Sequence, residues 1–148
     1  SLFSSFLENL TYTHTKAYRP IKDSVCWLIE IKDYRRYQRT KAIDLADEIA
    51  LKMRDSLAMI AVARINAYDA TESAMAQSAS RCSQMRIVLH LEQPNTHSKL
   101  FPRAINLANV QDKLKKLIKS VDPHPQVVEM SQMRSLSWSV SSIATATT

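Results

Sequence analysis

The residues best placed by type and spacing to do chemistry are Glu30 and Lys32, separated by Ile31. Alternate side chains of an extended strand share a face, so a carboxylate and an ammonium two positions apart lie side by side. A carboxylate there can hold a hard cation such as Mg2+, which commonly takes one or two protein carboxylates together with phosphate and water oxygens. The neighbouring lysine can orient or deprotonate an attacking water and stabilise charge building on a phosphate. The same three residues also make a plain salt-bridged strand end, so the surrounding elements must decide.

The segment Val25 to Lys32 is the clearest strand of the chain. Period two puts Val25, Trp27, Ile29 and Ile31 on one face and Cys26, Leu28, Glu30 and Lys32 on the other. Beyond it, Arg35, Arg36, Arg39 and Lys41 interleave with Tyr34 and Tyr37, a composition that can neutralise phosphates or form an ordinary solvated loop. Asp33 is expected on the opposite face, capping or pairing with an arginine. A long helix follows from about Ala42 to Ala67, with Ile43, Ala46, Ile49, Ala50, Met53, Leu57, Ile60 and Ala61 as its apolar stripe. Asp44, Asp47 and Glu48 suit its positive end. Lys52 on this helix has two readings, one projecting toward Glu30 and one, the better supported, snorkelling or ion-paired.

The other elements are read more briefly. Leu2, Phe3, Phe6, Leu7 and Leu10 predict a short amphipathic helix, and Thr11 to Ile21 an extended segment with Pro20 at its edge. Asp69 to Ser80 is either a helical continuation or a loop. Met85 to Leu91 predicts a buried strand of parallel character, ended by Pro94. Asn106 should cap a helix reaching Lys119, with Val110, Leu114, Leu117 and Ile118 inward and Lys113, Lys115, Lys116 and Lys119 solvated. Gln126 to Met130 predicts a last short strand, and Leu136 to Val140 an edge. Residues 1–130 form one α/β domain in this reading, with 131–148 an edge segment and a mobile tail.

Composition narrows the field of functions. The 148 residues are 45% hydrophobic and 23% charged, enough for one domain with a real core. A net charge of +6 favours an anionic partner such as nucleic acid, though only weakly. There is no glycine, where about ten would be ordinary for this length. Phosphate-cradling and dinucleotide-binding glycine loops therefore lack their physical basis, which disfavours ATP or NAD dependence. Cys26 and Cys82 are too far apart in sequence for a zinc ribbon, so a reducing cytoplasm is expected. Cys82, His90 and His97 lack zinc spacing, and His90 reads as a satisfied core histidine. The run Leu57 to Ala63 is too short to span a membrane, and Ser1 to Leu10 lacks the basic region of a signal peptide.

The run WLIEIKDYRR, Trp27 to Arg36, followed by a helix containing LADEIALKMRDSLA, resembles a bacterial member of the PD-(D/E)XK, or restriction-endonuclease-like, nuclease superfamily. The resemblance covers roughly Leu2 to Val128. It implies a three-layer core, a central mixed sheet flanked by helices, in which a helix leads into a β-meander whose third strand carries the E-x-K. It further implies a DNA-cleaving domain using Mg2+ or Mn2+, with Glu30 a metal ligand, Lys32 the catalytic lysine and the Ile31 carbonyl a further ligand. Arg35, Arg36, Arg39 and Lys41 would meet the DNA backbone. The family pattern also expects an acid on the preceding strand, where Lys16 to Pro20 supply none. Asp23 is the nearest upstream acid and serves equally well as the hairpin turn, while Glu8 could act as a supporting acid from the first helix.

That departure keeps a second expectation in view, a cleavage-incompetent nucleic-acid-binding or assembly subunit of the same fold. A sequence composed only to fold is a third, resting on the absent glycines. Self-association into a homodimer is left open by the sequence.

Overall fold

The computed structural model describes residues 24–36, 39–94 and 105–135. They form an α/β unit in which strand β1 (Val25–Asp33) leads through helix α1 (Leu45–Asn66) and helix α2 (Ala70–Ser80) to β2 (Gln84–Glu92). Helix α3 (Leu107–Ile118) then leads to the short β3 (Gln126–Val128) and a final 3-10 helix, Met130–Ser135, which crosses the boundary drawn at residue 130. The three strands stand in the order β1-β2-β3 and pair in parallel throughout. The amphipathic helix read at Leu2 to Leu10, the extended segment Thr11 to Ile21 and the edge at Leu136 to Val140 lie outside the described residues.

Short polar side chains set the helix boundaries. Asp44 caps α1, accepting a hydrogen bond from the Ala46 N–H at 2.9 Å, so the helix begins at Leu45 rather than near Ala42. Asp69 does the same for α2, taking the Thr71 and Glu72 N–H groups at 2.8 and 2.9 Å. That cap, after the extended Ala67, makes Ala70–Ser80 a separate helix and not a continuation of α1. Asn106 caps α3 as its sequence position implies, accepting from the Asn109 N–H at 3.1 Å. Lys113, expected to be largely solvated, has a 43% exposed side chain and also lies 2.7 Å from Asp47 and 3.2 Å from Asp44, tying α3 to the start of α1.

Parallel register carries the face assignment of β1 across the sheet. Cys26, Leu28, Glu30 and Lys32 stand beside Met85, Ile87, Leu89 and Leu91, and Leu89 beside Val127. This face packs with Leu45, Ile49, Met53, Ile60, Ala76, Leu114 and Ile118, so all three helices share one core with it. A fully buried Leu or Ile contributes about 1.5–3 kcal/mol, so this apolar cluster is a main hold of β1 against α1. Among the described residues no helix is long and apolar enough to cross a membrane.

A buried acid that the sequence did not single out fastens the turn after α3 to the sheet. Asp122 is fully buried and accepts hydrogen bonds from the Ile87 N–H at 2.8 Å, the His124 N–H at 2.9 Å and Arg86 Nη1 at 3.0 Å. Its carboxylate meets the Ile87 backbone just ahead of the point where β3 begins to pair with β2 at Val88. Replacing Asp122 by Ala strands the Ile87 N–H and should lower unfolding stability by about 2–4 kcal/mol, read as a reduced urea midpoint. An unchanged midpoint would contradict this role.

Candidate functional site

The charged residues at the carboxyl end of β1 meet the first two turns of α1. Glu30 and Lys32 leave the apolar face of the strand in sequence, as period two requires. Glu48 and Lys52 are four apart on α1 and so present on one side of the helix. Lys32 Nζ lies 3.1 Å from Glu30 Oε1 and 3.0 Å from Glu48 Oε1, bridging the two carboxylates. Lys52 Nζ reaches the same Glu30 oxygen at 2.5 Å. Both readings of Lys52 thus hold together, since it points to Glu30 and is ion-paired there.

The connection between β1 and α1 folds back onto this cluster. Lys41 Nζ lies 2.7 Å from Glu48 Oε1, and Arg39 Nη2 lies 2.9 Å from Glu48 Oε2. Arg39 also donates to the Lys41 carbonyl at 2.7 Å and to the Ile43 carbonyl. Arg35 takes the other direction, pairing in an exposed position with Asp33 through Nη2 to Oδ2 at 2.6 Å, and Arg36 is exposed. Of the four basic residues expected to meet nucleic acid, Arg39 and Lys41 therefore join the Glu30–Lys32 site, while Arg35 and Arg36 lie outside it.

Burial makes the charges interdependent. Glu30 and Glu48 are 8% and 6% exposed, too little for water to solvate either carboxylate. For Glu48, desolvation is the largest single influence and would raise its pKa. Hydrogen bonds from Lys41, Lys32 and Arg39 together outweigh it and hold the carboxyl at about 2, against an ordinary 4.5. Lys32 shows the converse balance: burial works to lower its pKa, and the Glu48 and Glu30 contacts raise it above the usual lysine value. Four cationic side chains surround two carboxylates, leaving a positive excess. The side chains of Lys52 and Lys41 are 44% and 58% exposed, so their ammonium groups are within reach of an arriving anion.

The expected metal ligands are only partly brought together. Glu30 is in place, but its Oε1 already faces two ammonium groups. Ile31 turns its side chain outward on the opposite face, as strand alternation requires, and the expected ligand there is its main-chain carbonyl. Asp23 and Glu8 lie outside the described residues. Among the described residues no group of three or more His, Cys, Asp or Glu side chains could hold a metal ion. Those residues alone do not fit Mg2+ or Mn2+, because the available carboxylate is already neutralised by lysines. What they do form is a cationic cluster suited to phosphate oxygens at the carboxyl end of a parallel strand, where open α/β sheets bind ligands.

One further residue departs from its sequence reading. Glu48 was expected only as a helix-dipole residue, and its fourfold spacing from Lys52 was the one available signal of a shared face. His90 is a core residue, fully buried; its Nε2 lies 2.9 Å from Glu92 Oε1, and among the described residues neither ring nitrogen has an aligned hydrogen-bond partner.

Against known proteins, no family model matches the chain, and no solved structure matches it. The chain is similar to a stretch of a cysteine–tRNA ligase from Neisseria meningitidis serogroup A / serotype 4A, at 36% identity over 140 residues. The match takes in 82% of this chain and 20% of the ligase, so the chain spans about a fifth of that relative's length.

The depressed Glu48 pKa has a consequence for stability. A folded-state pKa below the unfolded value contributes stability that is present above the unfolded pKa and lost as pH falls through the folded one. For Glu48 that window runs from about pH 4.5 down to about 2. Its share is at most about 3 kcal/mol. Glu48→Gln should flatten the loss of stability across this window in urea titrations at stepped pH. A variant as acid-sensitive as the wild type would contradict the assignment.

Proposed function

We propose that this chain is a nuclease-like domain of the PD-(D/E)XK type that takes a DNA phosphodiester at the carboxyl end of β1 and hydrolyses it. The observation that carries the reading is the convergence of Glu30 and Lys32 on the helix-covered face of β1, within ion-pair distance of each other and beneath the first turns of α1. The β1-α1-α2-β2-α3-β3 order supports the reading with one added helix, α2, beside the helix, strand, helix and strand that the superfamily places after its E-x-K strand.

The chemistry assigned to the chain's own residues is limited. Lys32, held between two carboxylates, donates hydrogen bonds to a non-bridging phosphate oxygen and stabilises the charge that builds as water adds to phosphorus and the bridging P–O bond breaks. The water's proton ends on the departing sugar oxygen. Lys52 and the Arg39–Lys41 segment supply further positive charge to the phosphate backbone. No step is assigned to a metal ion, since the described residues do not complete a ligand set.

A specific observation favours a second reading, a nucleic-acid-binding module without turnover: Glu30 Oε1 is shared by Lys32 and Lys52. The relative's name adds tRNA as a second nucleic acid to examine, while its ligase activity is no part of the proposal.

A plasmid-nicking assay with Mg2+ or Mn2+, run beside tRNA as alternative substrate, separates the readings. Nuclease action predicts nicking that falls about a hundredfold or more in Glu30→Ala and in Lys32→Ala. Equal cleavage by all three proteins would overturn the site assignment. DNA retention in a gel without cleavage under either metal would replace the first reading with the second.

A further inference from the structure

The hub of the charged cluster is neither member of the E-x-K pair but Glu48. Its two oxygens take one cation from β1, Lys32, and two from the connection that follows it, Arg39 and Lys41. Arg39 is itself tied down at the Lys41 and Ile43 carbonyls, so the backbone of 41–43 is drawn toward the first turn of α1. Among the described residues Arg39 Nε is a buried donor without a hydrogen-bond partner. An arm of chain carrying two cations is therefore fixed beside Lys32 by a single buried carboxylate.

We infer that Glu48 is a positioning residue, which clamps the Arg39–Lys41 arm beside the Glu30–Lys32 pair so that a phosphodiester meets a preformed set of cations. This rests on the proposed phosphodiester chemistry for its purpose, but not for the clamp itself. Among the described residues, the side-chain contacts left to the arm without Glu48 are those Arg39 makes to the Lys41 and Ile43 carbonyls, and an exposed connection with few contacts opens readily. The arm contributes charge to binding and touches no reacting atom, so its loss should be felt in KM more than in kcat.

Arg39 and Lys41 are themselves trypsin sites, which makes the clamp measurable without any assumed substrate. In Glu48→Gln, cleavage after Arg39 and Lys41 should be about tenfold faster than in wild type, with other sites unchanged. Glu48→Asp keeps the charge and should restore most of the protection. Arg39→Gln approaches the contact from the loop side and should speed cleavage after Lys41, so the test survives if the Glu48 variants fold poorly. In the nicking assay, Glu48→Gln should raise KM about tenfold and change kcat far less. Unchanged cleavage after Arg39 and Lys41 in Glu48→Gln, together with unchanged cleavage after Lys41 in Arg39→Gln, overturns the clamp, and an opened arm with unaltered KM overturns its positioning role. Selective opening in a chain whose wild type neither binds nor cuts nucleic acid upholds the clamp and removes the phosphodiester reading.

Discussion

Burying two carboxylates between a strand and a helix is the constraint from which this site follows. An isolated buried carboxylate is costly, and removing one partner of a buried pair commonly costs several kcal/mol. Glu30 and Glu48 are both nearly inaccessible, so each must be matched by cations from whatever chain passes nearby. Lys32 satisfies part of both, Lys52 completes Glu30, and Arg39 and Lys41 complete Glu48. That requirement accounts for the return of Arg39 and Lys41 to the first turn of α1. The apolar cluster under it, from Leu28 and Ile87 to Leu114, supplies the rigidity on which such a cluster depends.

The result is a site whose charges are set by one another. Lys32 is held as an ammonium by its two acids and Glu48 as a carboxylate by its three cations. A preorganised group of this kind need not reorient when charge develops on a bound phosphate, which is the usual source of electrostatic stabilisation. The positive excess lies on the side chains with most access to solvent, Lys41 and Lys52, so an incoming anion meets them first.

Much of this arrangement was legible in the sequence because it depends on local rules. Alternation along β1 places Glu30 and Lys32 together, Asn106 announces α3, and the apolar run around Val88 announces a buried parallel strand. What escaped depends on tertiary contact. Glu48 looks like any first-turn acid until Arg39 and Lys41 fold back on it, and Asp122 looks like a turn residue until the Ile87 N–H lies opposite. The pairing of Lys113 escaped for the same reason, since its partners Asp44 and Asp47 are distant in sequence. The family-level expectation of an acid before β1 falls on Asp23 and Glu8, outside the described residues. The likeness to a fifth of a tRNA ligase concerns a stretch of that protein, not its whole.

The most direct measurement is the salt dependence of duplex DNA binding by the wild-type chain and by Lys32→Ala. If Lys32 contacts a phosphate at the end of β1, wild-type affinity falls steeply with salt and the substitution lowers the log–log slope by about one. Binding that is absent at low salt, or a slope that Lys32→Ala leaves unchanged, would contradict the account.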